Sequence, residues 1–300
     1  VTTTAKTSPN VTAPATIAGR TAVVAGNGLL PVAVAESLRK QGGDPLIVAI
    51  KGEAEPALYE GGHAEISIVE LGGLVKILKA EGISNVVLAG GIRHRPEFRA
   101  ALRPGNGNLV ALYRFLRAFR LGDDGLLRAV IATIESYGFR VLGAHEIVPD
   151  ILAPSPGTLT RKRADKESVA DMHAAREAAI TIGALDIGQA AIAVGRRVVA
   201  LEGVEGTDAM LQRVAELRVA KRINRKGGVL VKCAKPQQEV RADLPAIGVS
   251  TVENALKAGL RGIAIEAGRT LILGYEETVA AANAAGLFIE TFEQRGSDGD

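Results

Sequence analysis

The sequence predicts an α/β protein: a Rossmann-like N-terminal domain built on a parallel sheet, joined to a separate α+β C-terminal domain. Three observations predict it. From Thr21 onward, short apolar runs alternate with amphipathic helical patterns, the rhythm of strands linked by crossover helices. The rhythm breaks at "PDILAPSPGTLTRKRADKES", where three prolines and a charged run intervene. Beyond the break, strands paired across glycines mix with helices, as in an independent α+β unit. These changes divide the chain into a disordered leader at 1–18, a Rossmann-like N-terminal domain at 19–150, a linker at 151–163, an α+β C-terminal domain at 164–293 and a disordered tail at 294–300.

In the N-terminal domain the predicted strands are "TAVVAG", "PLIVAI", "AEISIV", "NVVLAGG" and "FRVLGAHEIV". The predicted helices are "PVAVAESLRKQG", "LGGLVKILKAEG", "LVALYRFLRAF" and "GLLRAVIATIESYG", several closed by a glycine that accepts the left-handed backbone of a helix end. In the C-terminal domain "DKESVADMHAAREAAITIG", "TDAMLQRVAELRV", "STVENALKAG" and "YEETVAAANAAG" read as helices. "QAAIAVGRRVVALEG" reads as two strands joined around Gly195, and "AIEAGRTLILG" as a second hairpin around Gly268.

With 300 residues and 47% hydrophobic content the chain can bury more than one core. A net charge of +3 suits anionic small molecules and is far from a nucleic-acid-binding signature. The single cysteine, Cys233, rules out an internal disulfide framework and fits a reducing cytoplasm. Its place in the apolar run "GGVLVKCAKP" points to packing rather than catalysis. Residues 1–18, "VTTTAKTSPNVTAPATIA", lack the apolar core of a signal peptide. No apolar stretch approaches the roughly 18 residues of a membrane span.

The stretch "AVVAGNGLLPVAVAESLRKQG" raises the question of a dinucleotide site. A dinucleotide fingerprint needs Gly-x-Gly-x-x-Gly and an acidic residue after the next strand. Gly26 and Gly28 are present, but Pro31 stands at the third place and Lys51 where the ribose acid belongs, with Glu53 and Glu55 displaced into the loop. Nicotinamide binding is therefore not expected. What remains at Gly26, Asn27 and Gly28 is a helix N-terminus whose backbone donors could hold a phosphate or carboxylate, or a purely structural turn.

"GGIRHRPEF" follows another predicted strand and sets Arg93 and Arg95 where guanidinium groups can pair with phosphate, the plainer alternative being a solvated basic loop. Arg114, Arg117 and Arg120 share one helix face, which is either a wet face or one tolerant of anionic lipid headgroups. In "LGDDGLL" one of Asp123 and Asp124 serves as a helix cap, leaving the other to spare. The four histidines, His63, His94, His145 and His173, lack metal-site spacing.

The C-terminal domain is denser in chemistry. "ALEGVEGTDAML" gathers Glu202, Glu205 and Asp208 around two glycines and opens a helix with Thr207 as cap. Carboxylates in a glycine-rich loop suit Mg²⁺, which takes few oxygen ligands and keeps positions open for substrate phosphates. "RKGGVLVKCAKPQQEVRADLPAIG" then crowds Arg225, Lys226, Lys232, Lys235 and Arg241 near Asp243. If "VRADL" is extended, Arg241 and Asp243 lie on one face at i, i+2, and the cation keeps the carboxylate ionised. Metal ligands, an ionised carboxylate and cations together suit hydrolysis at a phosphate; a surface salt bridge is the plainer alternative.

The motifs "AGNGLLP", "GGIRHRP", "GDDGLLR", "GAHEIVPDILAP", "ALEGVEGTDAML" and "KGGVLVKCAKPQQEVRADLPAIG", in that order from about Arg20 to Phe292, resemble the LpxI-type UDP-2,3-diacylglucosamine pyrophosphatases of lipid A biosynthesis. The resemblance implies Mg²⁺-dependent hydrolysis of a lipid–nucleotide diphosphate to UMP and 2,3-diacylglucosamine 1-phosphate (lipid X). It matches the family's critical aspartate to Asp243, which is expected to be catalytic and to join Glu202, Glu205 and Asp208 as a metal ligand. Gly26, Asn27, Gly28, Arg93, Arg95, Thr207, Lys235 and Arg241 are the expected substrate-binding residues. A cytoplasmic protein is expected, in peripheral contact with the inner membrane surface and open to homodimer formation. The rival readings are an NAD(P)-dependent oxidoreductase, suggested by "GNG", and a non-catalytic nucleotide- or phospholipid-binding protein.

Overall fold

The computed structural model of the chain describes residues 17–59, 63–67, 70–92, 122–148 and 150–293. Residues 1–16 of the predicted leader, the tail, Arg93, Arg95 and the helix proposed at 109–119 lie outside the described residues, whereas Ile17 and Ala18, also read as leader, are placed: Ile17 packs against the core and the Ala18 carbonyl accepts from the Asn85 amide. The chain forms two compact units. Among the described residues, the first comprises 17–148 together with Glu239–Asp243, and the second comprises 150–238 and 244–293.

The first unit runs β1 (Thr21–Ala25), α1 (Leu30–Lys40), β2 (Leu46–Ile50), a short 3-10 turn (Pro56–Tyr59), β3 (His63–Ile66), α2 (Leu71–Ala80), β4 (Asn85–Ala89), α3 (Gly122–Ser136), β5 (Arg140–Leu142) and α4 (Ala144–Ile147). Its strands form one parallel sheet in the order β3-β2-β1-β4-β5. Strand alternation explains why both faces are covered. Val23, Ala25, Ile47 and Val87 point to a core with Val34 and Leu38 of α1 and Ile147 of α4. Ala22, Val24, Val48 and Val86 point to the other core, with Leu74 and Leu78 of α2 and Ile131 and Ile134 of α3. Each fully buried Val or Ile contributes about 1.5–3 kcal/mol relative to exposure. Pro31 sits in the first turn of α1, where its missing N–H has no intrahelical partner to lose.

One predicted strand is shorter than its apolar run. "FRVLGAHEIV" is extended only to Leu142. The Glu146 carboxylate then accepts the Gly143 N–H at 2.8 Å and starts α4.

The second unit runs β6 (Gly157–Thr158), α5 (Lys166–Ala184), β7 (Ala190–Val194), β8 (Arg197–Leu201), α6 (Gly206–Val219), β9 (Val229–Lys232), β10 (Ala246–Ile247), α7 (Val249–Lys257), β11 (Gly262–Glu266), β12 (Leu271–Ile272), α8 (Tyr275–Ala285) and β13 (Phe288–Phe292). Its main sheet has the order β6-β13-β11-β9-β7-β8. β9, β11 and β13 are parallel, and the flanking pairs are antiparallel. The small residues Ala175 and Ala179 bring α5 close to one face, over Ala191, Val229 and Val231. α6, α7 and α8 cover the other face with Met210, Leu211, Val252 and Ala282.

The hairpin at Gly195 forms as expected. Gly195 and Arg196 both take positive φ (61° and 66°), which suits a tight two-residue connection, and the buried Asp171 holds the Arg196 N–H. The hairpin at Gly268 does not form. β11 pairs with β9 and β13, whereas β12 pairs with β10 in a separate two-stranded sheet. The residues read as a linker explain this. The Gly268 N–H donates to Ala153 O, and the Ala153 N–H donates to Thr270 O. Further along 151–163, β6 adds to the edge of β13, and the Thr160 hydroxyl accepts the Ile289 N–H.

Candidate active site

The glycine turn after β1 closes on the protein itself. Gly26 N–H donates to Ala89 O at 2.8 Å, and Asn27 and Gly91 exchange reciprocal backbone bonds at 2.8 and 3.1 Å. A Cβ on Gly26 would lie 2.3 Å from Gly91 O, and one on Gly90 would lie 2.5 Å from Asn27 O. These glycines permit two backbones to meet where β1 and β4 end, the point at which the strand order reverses. The Gly28 N–H goes to the Glu55 carboxylate at 3.1 Å, and the Asn27 amide to Glu53 at 3.3 Å. The expectation of unoccupied donors at Gly26, Asn27 and Gly28 is therefore corrected. All three N–H groups are engaged, one of them by an internal carboxylate.

The acidic loop after β8 is similarly committed. Glu202 is only 6% exposed, and its carboxylate accepts the Gln189 N–H at 2.9 Å and the Thr207 hydroxyl at 2.5 Å. Thr207 is thus not a helix cap; it ties the start of α6 to Glu202. Glu205 pairs with Arg213 at 3.1 Å, and Asp208 accepts from the Asn254 amide at 3.0 Å. Among the described residues no three His, Cys, Asp or Glu side chains come together as metal ligands. Glu202, Glu205 and Asp208 do not fit a shared Mg²⁺ site. Each carboxylate is already engaged by a neighbouring group of the protein.

Lys235, just after β9, is held from several sides. Its N–H donates to Gln238 Oε1 at 2.8 Å, its carbonyl accepts from Arg269 at 3.3 Å, and its ammonium meets Asp186 at 2.6 Å. Gln238 in turn donates to Gln189 at 3.1 Å. Behind this loop lies Glu266, 1% exposed at the end of β11, whose Oε2 accepts the Ala234 N–H at 2.8 Å. Burial raises the Glu266 carboxyl above its ordinary pKa. Burial, with Glu266 beside it, pushes the Cys233 thiol up to about 12, so this cysteine is packing and not a nucleophile.

Residues 239–243 are a turn, not the extended segment expected. Ala242 and Asp243 both donate their N–H to Glu239 O, at 3.2 and 3.0 Å. Arg241 is consequently not the partner of Asp243. Its Nε and Nη2 take the two oxygens of Glu239 at 2.8 and 2.9 Å, and its Nη1 takes Glu135 of α3 at 2.7 Å. The Arg241 bonds hold the Glu239 carboxyl below its usual range, and Glu239 raises the guanidinium pKa in return. Glu135, Glu239, Glu266 and Gln238 were not singled out from sequence. Only Glu239 carried a signal, its place two residues before Arg241.

Fold and site define the class: a two-unit α/β protein in which a Rossmann-type sheet carries an internally closed glycine turn and a charged turn bearing one aspartate. The family model described as LpxI N-terminal domain matches residues 20–151, and that described as LpxI C-terminal domain matches 155–290. The UDP-2,3-diacylglucosamine pyrophosphatase LpxI of Caulobacter vibrioides is 42% identical over 269 residues, covering 89% of this chain and 95% of that protein. The chain belongs to the LpxI family. Among solved structures it is similar to the Bordetella bronchiseptica enzyme WbmG in complex with NAD and UDP, at 17% identity and a TM-score of 0.28, over 41% of this chain and 36% of that one. The UDP-glucose 4-epimerase of Thermus thermophilus in complex with NAD is similar at 13% identity and a TM-score of 0.28, over 94% and 88% of the two chains. Likenesses of that size carry no argument about cofactor or reaction.

Proposed function

We propose that this chain hydrolyses the diphosphate of UDP-2,3-diacylglucosamine, with water adding across the P–O–P bond to give UMP and 2,3-diacylglucosamine 1-phosphate. The observation that carries the reading is the match of both halves to one family, together with a relative of that name 42% identical across nearly its whole length. Asp243 is the residue we assign to the reaction, as a proton acceptor or a metal ligand. Arg93 and Arg95, which follow β4 in the sequence, are the cations we assign to the diphosphate.

Mg²⁺ belongs to this proposal in a changed form. Mg²⁺ is commonly held by one or two carboxylates plus substrate phosphates rather than by a protein cage. Asp243 with the diphosphate oxygens meets that requirement without the loop at Glu202, Glu205 and Asp208. When bound, the ion supplies charge neutralisation and a more acidic water. Glu205→Gln and Asp208→Asn should then leave the Mg²⁺ requirement unchanged.

Among the described residues no helix is long and apolar enough to cross a membrane. We place the protein in the cytoplasm, in keeping with its single free cysteine, with transient contact at the inner membrane surface, because a substrate bearing two acyl chains favours a bilayer. The deciding experiment incubates the protein with UDP-2,3-diacylglucosamine, with Mg²⁺ and separately with excess EDTA, and follows UMP. UMP release that Mg²⁺ restores after chelation is expected. Intact substrate in both arms overturns the activity, and equal release in both overturns the metal.

A further inference from the structure

We infer that Arg241 is a positioning residue rather than a substrate ligand: by gripping Glu239 and Glu135 it fixes the turn that carries Asp243. The inference rests on the functional reading above for the role of Asp243, and on geometry for everything else.

Arginine offers a rigid planar fork of N–H donors, and here each of its three nitrogens already serves a carboxylate of the same unit. The pair with Glu239 is two-pronged, the geometry in which guanidinium–carboxylate bonds are strongest. Three of its five N–H donors are used in this way, and those three bonds set the plane and position of the guanidinium. The side chain is therefore held in place by the protein's own carboxylates before any ligand arrives.

Glu239 is the hinge of the arrangement. Its carboxylate is held by Arg241, while its carbonyl accepts the N–H groups of Ala242 and Asp243. Fixing Glu239 thus fixes the backbone at Asp243. Glu135 supplies the outer anchor. It lies in the last turn of α3, whose Ile131 and Ile134 are buried in the core beneath, and Ala242 packs against that same core. A chain of direct contacts runs from a rigid helix through Glu135, Arg241 and Glu239 to the backbone of Asp243. A misplacement of about 1 Å in a reacting group can cost on the order of 100-fold in rate.

The test compares the parent protein with Glu135→Gln and Arg241→Lys, measuring kcat and KM for UMP release and hydrogen exchange of the backbone amides. Glu135 has a side chain 39% exposed, so the amide variant is expected to fold, as thermal melting will verify. Should it not, Glu135→Asp keeps the charge and shortens the reach, and gives the same comparison. We expect kcat to fall about 10- to 100-fold in each variant with KM nearly unchanged. The double variant should lose no more than Arg241→Lys alone, because that change already removes the bond that Glu135→Gln weakens. Amides of Ala242 and Asp243 should exchange faster, while those of β1 and β4 do not change. Parental kcat in Glu135→Gln, or a rise in KM alone in Arg241→Lys, overturns the inference. If the parent itself releases no UMP, the functional reading fails, and the exchange at Ala242 and Asp243 still decides the positioning.

Discussion

The carboxylate of Glu55 accepts the backbone N–H of Gly28 at 3.1 Å. The start of α1 is the kind of turn that holds phosphate in nucleotide-binding proteins, because backbone donors and the helix dipole both favour negative charge. Here the protein supplies the negative charge itself. Glu55→Ala should therefore expose an anion-seeking turn and lower stability by about 1 kcal/mol, the scale of one partly solvated hydrogen bond. Melting in phosphate and in chloride at equal ionic strength checks this. Phosphate should recover part of the loss in the variant and give no matching gain in the parent.

The neighbouring glycines make a different prediction. Gly26→Ala would place a methyl 2.3 Å from Gly91 O, a backbone atom that cannot rotate away. Gly90→Ala adds a positive φ of 88° to a 2.5 Å approach on Asn27 O. Each should cost about 1–3 kcal/mol in urea unfolding, the usual range for overpacking. Gly28→Ala meets nothing within 4 Å and pays only for its φ of 91°, a cost of about 1–2 kcal/mol. Gly26→Ala with parental stability would mean that the two loops do not meet as described.

Much of this was legible in the sequence, and the failures have a common cause. Strand and helix alternation identified the parallel sheet of the first unit because both faces of β1 and β2 are buried, leaving continuous apolar runs. Pro31 was legible as a first-turn residue of a helix, and it stands there in α1. The missing information was which polar group meets which. Glu55 and Gly28 are 27 residues apart, Arg241 and Glu135 are 106 apart, and nothing local links them. Local spacing instead suggested Arg241 beside Asp243, and the turn at Glu239 redirected it. Likewise the Gly268 hairpin looked sound until 151–153 supplied its hydrogen bonds.

Glu266 gives a prediction about pH. It is a buried carboxyl whose Oε1 lies 3.7 Å from Arg269 and makes no hydrogen bond. Its pKa is raised by burial. A raised folded-state pKa means that its contribution is fully present below the unfolded value, near 4.5, and is lost as pH rises through the folded one. Glu266→Gln removes this titration. The stability of the variant relative to the parent should therefore improve as pH rises from about 4 toward neutrality. Denaturant unfolding of both proteins across that range measures it. A difference that is flat with pH, or that moves against the variant, would falsify the raised pKa.

Asp243→Asn bears most directly on the chemistry. Arg241 is spent on Glu239 and Glu135, so the function of Asp243 cannot be credited to that neighbour. Its case rests on its place in "RADLP", the motif on which the resemblance assigns it a catalytic role, and on the turn that holds its backbone. Accepting a proton and holding Mg²⁺ both need the negative charge. The nearly isosteric amide should therefore be almost as damaging as Asp243→Ala, with turnover lower by about 10²- to 10⁴-fold. Substrate affinity should change far less, because the uridine and the acyl chains make contacts that a single carboxylate does not. An inactive variant that still binds intact substrate is the expected outcome. UMP release at saturating Mg²⁺, substrate binding by calorimetry and thermal melting together decide it. A folded Asn variant with turnover within about threefold of the parent, far short of that range, would make Asp243 a structural residue and move the reaction elsewhere in the chain.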